Sequence, residues 1–433
     1  MDAPRDSLRI TRSRYLLPLA YSAVVVAVTL RQPLDAFLIR FPVGQLWRFA
    51  SPAWIEAGIL TVQLPALAWF FRHRPPQRST WLLGITTALI VVSSILRGVE
   101  SSAWRDLLLV INAVGSISGI AGRLGVQRSV IAVFLGLQPA LLWSIWAAAA
   151  GWGWGFGGTV WQGAFWHRNS LAAAAAIGAV CGWHLVLVLP SRARAATRLS
   201  IASLTGIDIA ILLRTNNSSA MVGLVGGIGA TIALLTVLRV ATKAGLTHGL
   251  KRRIISTTYV TGVVISIGSF VVLANFISGL VGKPAGFSDR TRFWSESLQG
   301  IRAKPALGWG WRSAKTNPDF LALYERFSGL DPHSTWFQIA LSAGVAAVAA
   351  LVIFVLIGLV RMGSAVVADP RASVVLVALP LLLLTILSAE DTAGAFAVPL
   401  ALLVTLTTHC SSWDGAAFSK QASLSGDLVP QEG

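Results

Sequence analysis

The residues with the clearest proton chemistry lie in one short segment, Asp331-Pro332-His333-Ser334-Thr335-Trp336. This segment stands at the start of an apolar run, since no charged residue interrupts 336–360. Histidine has a reference pKa of about 6.5, so His333 can be a neutral proton acceptor near neutral pH. The loop before it is rich in arginine, which binds phosphate oxygens in a bidentate fashion. The combination suggests chemistry on an anionic, lipid-borne substrate at a membrane surface.

The loop over 280–333 supplies the candidate anion-binding groups, with eight basic and five acidic residues. Within it, 289–304 is predicted to form an amphipathic helix, because Phe293, Trp294, Leu298 and Ile301 recur at helical spacing. We expect Pro305 to end this helix, which could lie on the membrane surface. The acidic residues of the loop are scattered and no Asp-x-Asp motif is present, so metal dependence is not expected.

Membrane-spanning helices must position these groups. Of the 433 residues, 55% are hydrophobic and only 12% are charged, against roughly 25% charged in a typical soluble protein. Apolar runs long enough to cross a membrane recur along the chain, and about twelve are predicted. They lie near 15–31, 50–71, 81–97, 104–122, 128–150, 169–190, 199–213, 218–240, 254–279, 334–360, 371–389 and 393–410. We predict an all-α polytopic membrane protein with one transmembrane domain over 1–410 and a disordered cytoplasmic tail over 411–433.

The distribution of Lys and Arg predicts the orientation of this domain. With the N-terminus in the cytoplasm, twenty of the 35 basic residues fall on the cytoplasmic side. Eight more lie in the long loop between the ninth and tenth spans, which leaves seven in the short external loops. Because cytoplasmic loops carry the excess of positive charge, both termini are predicted to be cytoplasmic. The long loop is then external, and the protein is expected in a bacterial cytoplasmic membrane.

The net charge of +17 needs no nucleic acid partner to explain it. Most of it is the topological signal, and the basic loops would also favour anionic lipid headgroups. The two cysteines, Cys181 and Cys410, fall inside predicted spans far apart in sequence. They form neither a disulfide framework nor a metal-ligand spacing.

Four stretches of the chain, taken in order, resemble the O-antigen ligase/polymerase superfamily. The stretch 163–172, GAFWHRNSLA, is similar to the family's glycine, phenylalanine and basic-asparagine element before a helix. The stretch 212–223, LLRTNNSSAMVG, resembles an element that usually reads Ser-Arg-Gly/Thr-Ala. SDRTRFW at 288–294, with GIRAKPALGWG at 300–310, resembles the opening of the large external loop. The stretch 333–344 matches the family's histidine, small polar residue and glycine pattern.

The resemblance implies an enzyme that moves a glycan from a polyprenyl diphosphate donor to a hydroxyl of a glycan or lipid acceptor, as a ligase or a polymerase. It implies inversion by single displacement, with no metal or cofactor. Arginines would compensate the leaving diphosphate, and His333 would activate or orient the acceptor. The implied catalytic residues are His333, Arg290 and Arg214. The implied substrate-binding residues are Arg168, Asn169, Arg292, Trp294 and Arg302.

One position departs from the family pattern. The family's arginine aligns with Ser218, and Arg214 stands four residues earlier. If the helix is continuous, Arg214 lies one turn away and can supply the charge from a shifted position.

Several of these residues also have a purely structural interpretation. Asn169 can be the N-cap of a helix, His333 can cap the tenth span and Arg214 can be an interfacial anchor. Tryptophans are typical of an interfacial belt, and this applies to Trp152, Trp154, Trp161, Trp166, Trp309 and Trp311. Glu56, Asp208 and His184 are interpreted as structural polar contacts within the spans. Glu390 and Asp391 are candidates for binding acceptor hydroxyls.

Two other functions stay open from the sequence, a secondary transporter with twelve spans and a flippase for lipid-linked glycans. Transporters often contain two halves related by a repeat, with broken helices at the midplane. No internal repeat is visible, and the longest loop follows the ninth span rather than separating two halves. Glycan transfer is therefore the leading hypothesis.

Overall fold

A computed structural model describes residues 5–30, 53–72, 80–151, 161–165, 167–189, 195–268, 290–312, 320, 332–389 and 397–410. These residues form helices and the turns between them, with no strand in the described ranges. The prediction of an all-α protein is confirmed. The predicted tail over 411–433 lies outside the described residues.

The described helices run in chain order as follows. They are α1 (Arg5–Thr29), α2 (Ala53–Arg72), α3 (Thr80–Leu96), α4 (Ser101–Leu124), α5 (Val126–Ala149), α6 (Arg168–Val188), α7 (Ala195–Thr215), α8 (Ser218–Lys243), α9 (His248–Gly268), α10 (Arg290–Ala303), α11 (Thr335–Ala343), α12 (Val345–Ala368), α13 (Leu379–Ala389) and α14 (Val398–His409). A short 3₁₀ turn, Pro370–Ala372, and a π-helical turn, Val374–Ala378, precede α13.

Seven of the described helices are long and apolar enough to cross a membrane, namely α2, α4, α5, α6, α7, α8 and α12. Four further apolar helical stretches are shorter, at Leu16–Thr29, Thr80–Leu96, Val374–Ala389 and Val398–His409. These findings indicate a multi-pass membrane protein. The count of about twelve spans and the position of the long loop stay predictions.

Small residues allow the helices of the bundle to approach closely. Gly182 of α6 faces α7, where a Cβ in its place would lie 2.1 Å from the Thr205 hydroxyl oxygen. Gly223 and Gly227 of α8 face α13 and the π-helical turn, at Leu382 and Ala378. Glycines four residues apart are the usual means by which membrane helices pack when no hydrophobic force drives them together. The contact between α8 and α13 also positions residues at one end of the candidate functional site.

The apolar run over 334–360 is not one continuous helix. It divides into α11 and α12 at Gly344, whose φ is +84°. The break leaves the carbonyls of Leu341 and Ser342 without their helical partners. They instead accept hydrogen bonds from the backbone N–H groups of Trp309 (2.7 Å) and Gly310 (3.0 Å).

The segment 305–311 therefore packs into the break as an inserted turn. The freed N–H of Val345 at the start of α12 donates to the Pro305 carbonyl at 2.8 Å. A Cβ on Gly308 would lie 2.4 Å from the Leu341 carbonyl oxygen, so only glycine fits there. Three backbone groups that the break frees, the carbonyls of Leu341 and Ser342 and the N–H of Val345, thus have partners, which favours their burial in an apolar bundle.

The tryptophans of this turn are buried, so their assignment to an interfacial belt is wrong. Trp309 and Trp311 are among the largest fully enclosed side chains. The Trp309 indole N–H donates to the Gly300 carbonyl at 2.9 Å, and the Lys304 ammonium lies 3.7 Å from its ring centroid. Trp161 is half-buried, while Trp152, Trp154 and Trp166 lie outside the described residues.

Candidate functional site

His333 lies immediately before α11, in contact with the first turn of α10. The centroids of its imidazole and of the Phe293 ring are 5.5 Å apart. Ser334, not His333, occupies the N-cap position of α11. His333 has a left-handed backbone, with φ of +49°. Non-glycine residues adopt this conformation only when the surroundings enforce it, and such residues cluster at functional sites.

Helix α10 confirms the amphipathic helix predicted over 289–304, since it spans Arg290–Ala303 and ends before Pro305. Its apolar side packs on α11, where the ring centroids of Trp294 and Phe337 are 6.0 Å apart. Ile301 is buried in one cluster with Leu341 of α11. Leu298 remains 43% exposed. The contact with α11 holds the start of α10 beside His333.

The loop arginines are distributed along α10. Arg290 is its first residue and Arg292 belongs to its first turn, at the end near His333. The side chains of Arg290 and Arg292 lie outside the described ones. Arg302 is exposed in the last turn, twelve residues from Arg290 and so about 18 Å along the axis. Of the predicted arginines on this helix, the structure therefore places Arg302 away from His333.

A second pair of residues joins the two earlier motifs. The Asn217 side-chain amide donates to the Asn169 side-chain oxygen at 2.6 Å. The Asn217 side-chain oxygen also accepts from the Ala220 backbone N–H at 2.8 Å and caps α8. One buried residue thus fixes the N-terminus of α8 and links it to the N-terminus of α6.

Asn169 is not the N-cap of α6, which corrects that alternative. His167 takes the N-cap position, and its Nδ1 accepts from the Asn169 backbone N–H at 3.2 Å. The Asn169 side chain is consequently available to accept from Asn217. Arg168 is the half-buried first residue of α6, beside this pair in sequence.

Arg214 and Ser218 do not lie on one continuous helix. Arg214 therefore does not stand one helical turn before Ser218, the position that aligns with the family's arginine. α7 ends at Thr215 and α8 begins at Ser218. Asn216, between them, has φ of +52°, which breaks the helical path. Arg214 is exposed in the last turn of α7, where a cation interacts favourably with the helix dipole.

Contacts along α13 bring the His333 region and the Asn169–Asn217 pair to one end of the bundle. α8 and α13 pack antiparallel, with Gly227 beside Ala378 and Gly223 beside Leu382 and Thr385. Continuing this pairing places Asn217 near the level of Ser388. Trp336, three residues after His333, donates its indole N–H to the Ser388 hydroxyl at 3.1 Å. We call this end of the bundle the site end. Glu390 and Asp391 follow Ser388 but lie outside the described residues.

Comparison with known protein families finds one match within the chain. Residues 201–352 match the O-antigen ligase family. The resemblance to the O-antigen ligase/polymerase superfamily is thereby confirmed. The matched region, 201–352, contains Arg214, Asn217, α10 and His333, whereas Asn169 precedes it and is joined to it by the bond to Asn217. A search of curated proteins found no match to the chain.

The matched region is anchored to α3, α4 and the residue after α3 by contacts that the sequence did not predict. Arg312 forms an ion pair with Asp106 of α4, and both side chains are largely buried. The backbone N–H of Trp311 donates to the Ser94 hydroxyl at 3.0 Å, and the Arg97 guanidinium donates to the Gly308 carbonyl at 3.2 Å. More than 200 residues separate the partners in each pair, so no local pattern could have indicated them.

Two of the three ionisable residues interpreted as structural contacts, Asp208 and Glu56, have polar partners in the structure. Gln138 donates its side-chain amide to Asp208 at 3.0 Å, and Arg105 pairs with Glu56 at 3.6 Å. His184 is fully buried. Among the described residues, no three His, Cys, Asp or Glu side chains are grouped so as to hold a metal ion.

Proposed function

We propose that this protein transfers a glycan from a polyprenyl-diphosphate carrier to an acceptor hydroxyl, at the outer face of a bacterial cytoplasmic membrane. The observation that carries the proposal is the family match over 201–352. The contact of His333 with α10 and the Asn169–Asn217 bond support it, because they bring motifs from four parts of the chain to the site end.

In the proposed reaction, the acceptor oxygen attacks the anomeric carbon and forms a new glycosidic C–O bond. The bond from that carbon to the phosphate oxygen breaks, and its electron pair leaves with the diphosphate. The acceptor proton passes to a base, for which we propose His333. A single displacement of this kind inverts the anomeric configuration. A positioned base typically contributes about 100-fold to 10,000-fold in rate.

The first turn of α10 is suited to receive the departing diphosphate. It contains Arg290 and Arg292 and no acidic residue. Unpaired N–H groups and the helix dipole make a helix N-terminus favourable for anions, and arginine adds bidentate hydrogen bonds to phosphate. Cationic groups placed where charge develops lower the barrier, which is the role we propose for both arginines. We propose that these arginines make a metal ion unnecessary.

Other residues of the site end would hold the two substrates. Arg168 and Asn169 begin α6 beside Asn217, and we propose that they bind the carrier or the acceptor glycan. Arg214, in the last turn of α7, would add positive charge from the neighbouring helix end. Trp294 presents an aromatic face on α10 next to Phe337, where a sugar ring can stack. Arg302, at the far end of α10, would contact only an extended part of the glycan.

The test is glycan transfer by the purified protein, with a polyprenyl-diphosphate oligosaccharide as donor. The assay compares the wild type with Arg290→Ala and His333→Asn, with and without EDTA. Arg252→Ala is the matched control, because Arg252 is exposed on α9 at the opposite end of the bundle. Transfer that persists in EDTA and in Arg252→Ala, and falls at least about 100-fold in the other two variants, supports the proposal.

Unchanged transfer in Arg290→Ala and His333→Asn would show that the transfer reaction does not take place at the α10–α11 junction. Loss of transfer in EDTA would contradict the metal-free mechanism. Uptake of a solute into vesicles without transfer to any acceptor would favour a transporter. Translocation of the lipid-linked glycan without transfer would favour a flippase.

A further inference from the structure

A cavity lies at the end of the bundle opposite the site end. Its volume is about 690 Å³, within the range of about 300–1,000 Å³ of ordinary ligand pockets. The walls come from the C-terminal halves of α6 and α8, the start of α9 and the junction between α12 and α13. The first residue of α8 that lines it, Thr231, follows Asn217 by fourteen residues, which is about 21 Å along the helix axis. The cavity is therefore distinct from the proposed transfer site.

Positive charge collects at this cavity. Five of its lining residues are basic or can become so, namely Arg239, Lys243, His248, Lys251 and Arg371. None of the described residues that line it is acidic. Asp369, two residues before Arg371, caps the 3₁₀ turn by accepting the Arg371 backbone N–H at 3.0 Å. The charge of the lining is suited to an anion.

The remaining lining is apolar and opens toward the outside of the bundle. Leu187 of α6 is 54% exposed and Ile232 of α8 is 59% exposed. Trp183 and Leu235 line the cavity with them. A small soluble anion would leave this apolar surface uncovered, whereas a molecule with an anionic head and an apolar tail would cover both parts.

We propose that this cavity binds an anionic phospholipid, with the phosphate among Arg239, Lys243, Lys251 and Arg371 and an acyl chain along Leu187 and Ile232. Basic pockets between membrane helices are suited to such headgroups. The cavity lies at the end where the basic loops of the chain occur, the end predicted to face the cytoplasm. The ligand would be a lipid of that leaflet that stabilises the junction of α8, α9 and α12.

The experiment measures lipid binding to the full-length protein purified in a neutral detergent. The probes are dioleoylphosphatidylglycerol, dioleoylphosphatidylcholine and inorganic phosphate, followed by native mass spectrometry and by the midpoint of thermal unfolding. The test variant is Arg239→Gln with Arg371→Gln. The matched control is Arg252→Gln with Arg253→Gln, which removes two exposed arginines of α9 that do not line the cavity.

The wild type is expected to bind phosphatidylglycerol in preference to phosphatidylcholine. Each lost charge should weaken the affinity for phosphatidylglycerol roughly fivefold, so the test variant should bind about 25-fold more weakly while the control stays near wild type. If both variants lose affinity for phosphatidylglycerol equally, the effect is due to general surface charge, and the proposed binding site would be contradicted. Equal protection by inorganic phosphate, or equal binding of phosphatidylcholine, would overturn the lipid assignment.

If the double variant does not fold, Lys243→Gln replaces it. Lys243 is exposed in the last turn of α8, so this change should leave folding intact. It should weaken phosphatidylglycerol binding about fivefold. No change in Lys243→Gln would contradict the proposal.

Discussion

The imidazole of His333 packs against the phenyl ring of Phe293, although forty residues separate them in the sequence. The contact joins the first turn of α10 to the segment that leads into α11. It therefore places the candidate base beside the helical turn that contains Arg290 and Arg292 in sequence.

Replacement of His333 by Asn should abolish transfer without unfolding the protein. Asn tolerates the left-handed conformation that His333 adopts, with φ of +49°, so the backbone should persist. Loss of the base should lower the rate of transfer at least about 100-fold. His333→Ala should be inactive and also less stable, by about 1–2 kcal/mol, since alanine disfavours this conformation. Transfer kinetics and thermal unfolding check both statements, and an active His333→Asn would contradict the role of His333.

Replacement of Phe293 by Ala should slow transfer although Phe293 bears no reactive group. Without the ring, His333 and the start of α10 lose a packing contact, and a misplacement of about 1 Å can cost up to about 100-fold in rate. We expect a decrease of at least about tenfold. Leu298→Ala on the same helix is the control, because Leu298 is 43% exposed. Equal rates in the two variants would show that the Phe293–His333 contact does not position the site.

The bond between Asn217 and Asn169 should contribute to stability separately from the helix cap that Asn217 also provides. Asn217→Ser keeps a good N-cap but loses the bond to Asn169, and should cost about 1 kcal/mol. Asn217→Ala loses both and should cost about 2 kcal/mol. Asn169→Ala should cost about as much as Asn217→Ser, and the combination of those two should cost less than their sum. Thermal unfolding of the wild type, Asn217→Ser, Asn169→Ala and their combination forms the double-mutant cycle, in which full additivity would exclude coupling between the two residues.

Gly344 should not tolerate a side chain. Its φ is +84°, and a Cβ there would lie 2.3 Å from the Ala306 carbonyl oxygen. Gly344→Ala should destabilise the protein by about 1–3 kcal/mol or more and slow transfer, because the turn over 305–311 must move. The matched control is Gly84→Ala in α3, where no atom lies within 4 Å of the added carbon and φ is ordinary. A Gly344→Ala protein as stable as Gly84→Ala would contradict the close packing of this turn.

Much of the local structure follows from the sequence. Phe293, Trp294 and Ile301 at helical spacing predicted α10, and Pro305 predicted its end, because periodicity and proline act on neighbouring residues. The same reasoning separated the spans over 199–213 and 218–240, but it missed the break at Gly344. There, a break within an apolar run is stabilised by partners far away in sequence. Leu341 and Ser342 lose helical hydrogen bonds at the break and regain them from the backbone of 309–310.

For the site, the sequence by itself determined the residue types and their order: a histidine before an apolar run, arginines in a preceding helix and an asparagine at the start of α6. The tertiary structure decided which of them meet. It placed His333 against Phe293, joined Asn169 to Asn217, and set Arg302 at the far end of α10. It also buried Trp309 and Trp311, which composition alone assigned to the membrane interface. Helical periodicity is a local property that can be recognised in the amino-acid sequence. These contacts instead depend on how helices distant in sequence pack together and form hydrogen bonds with one another's polar groups.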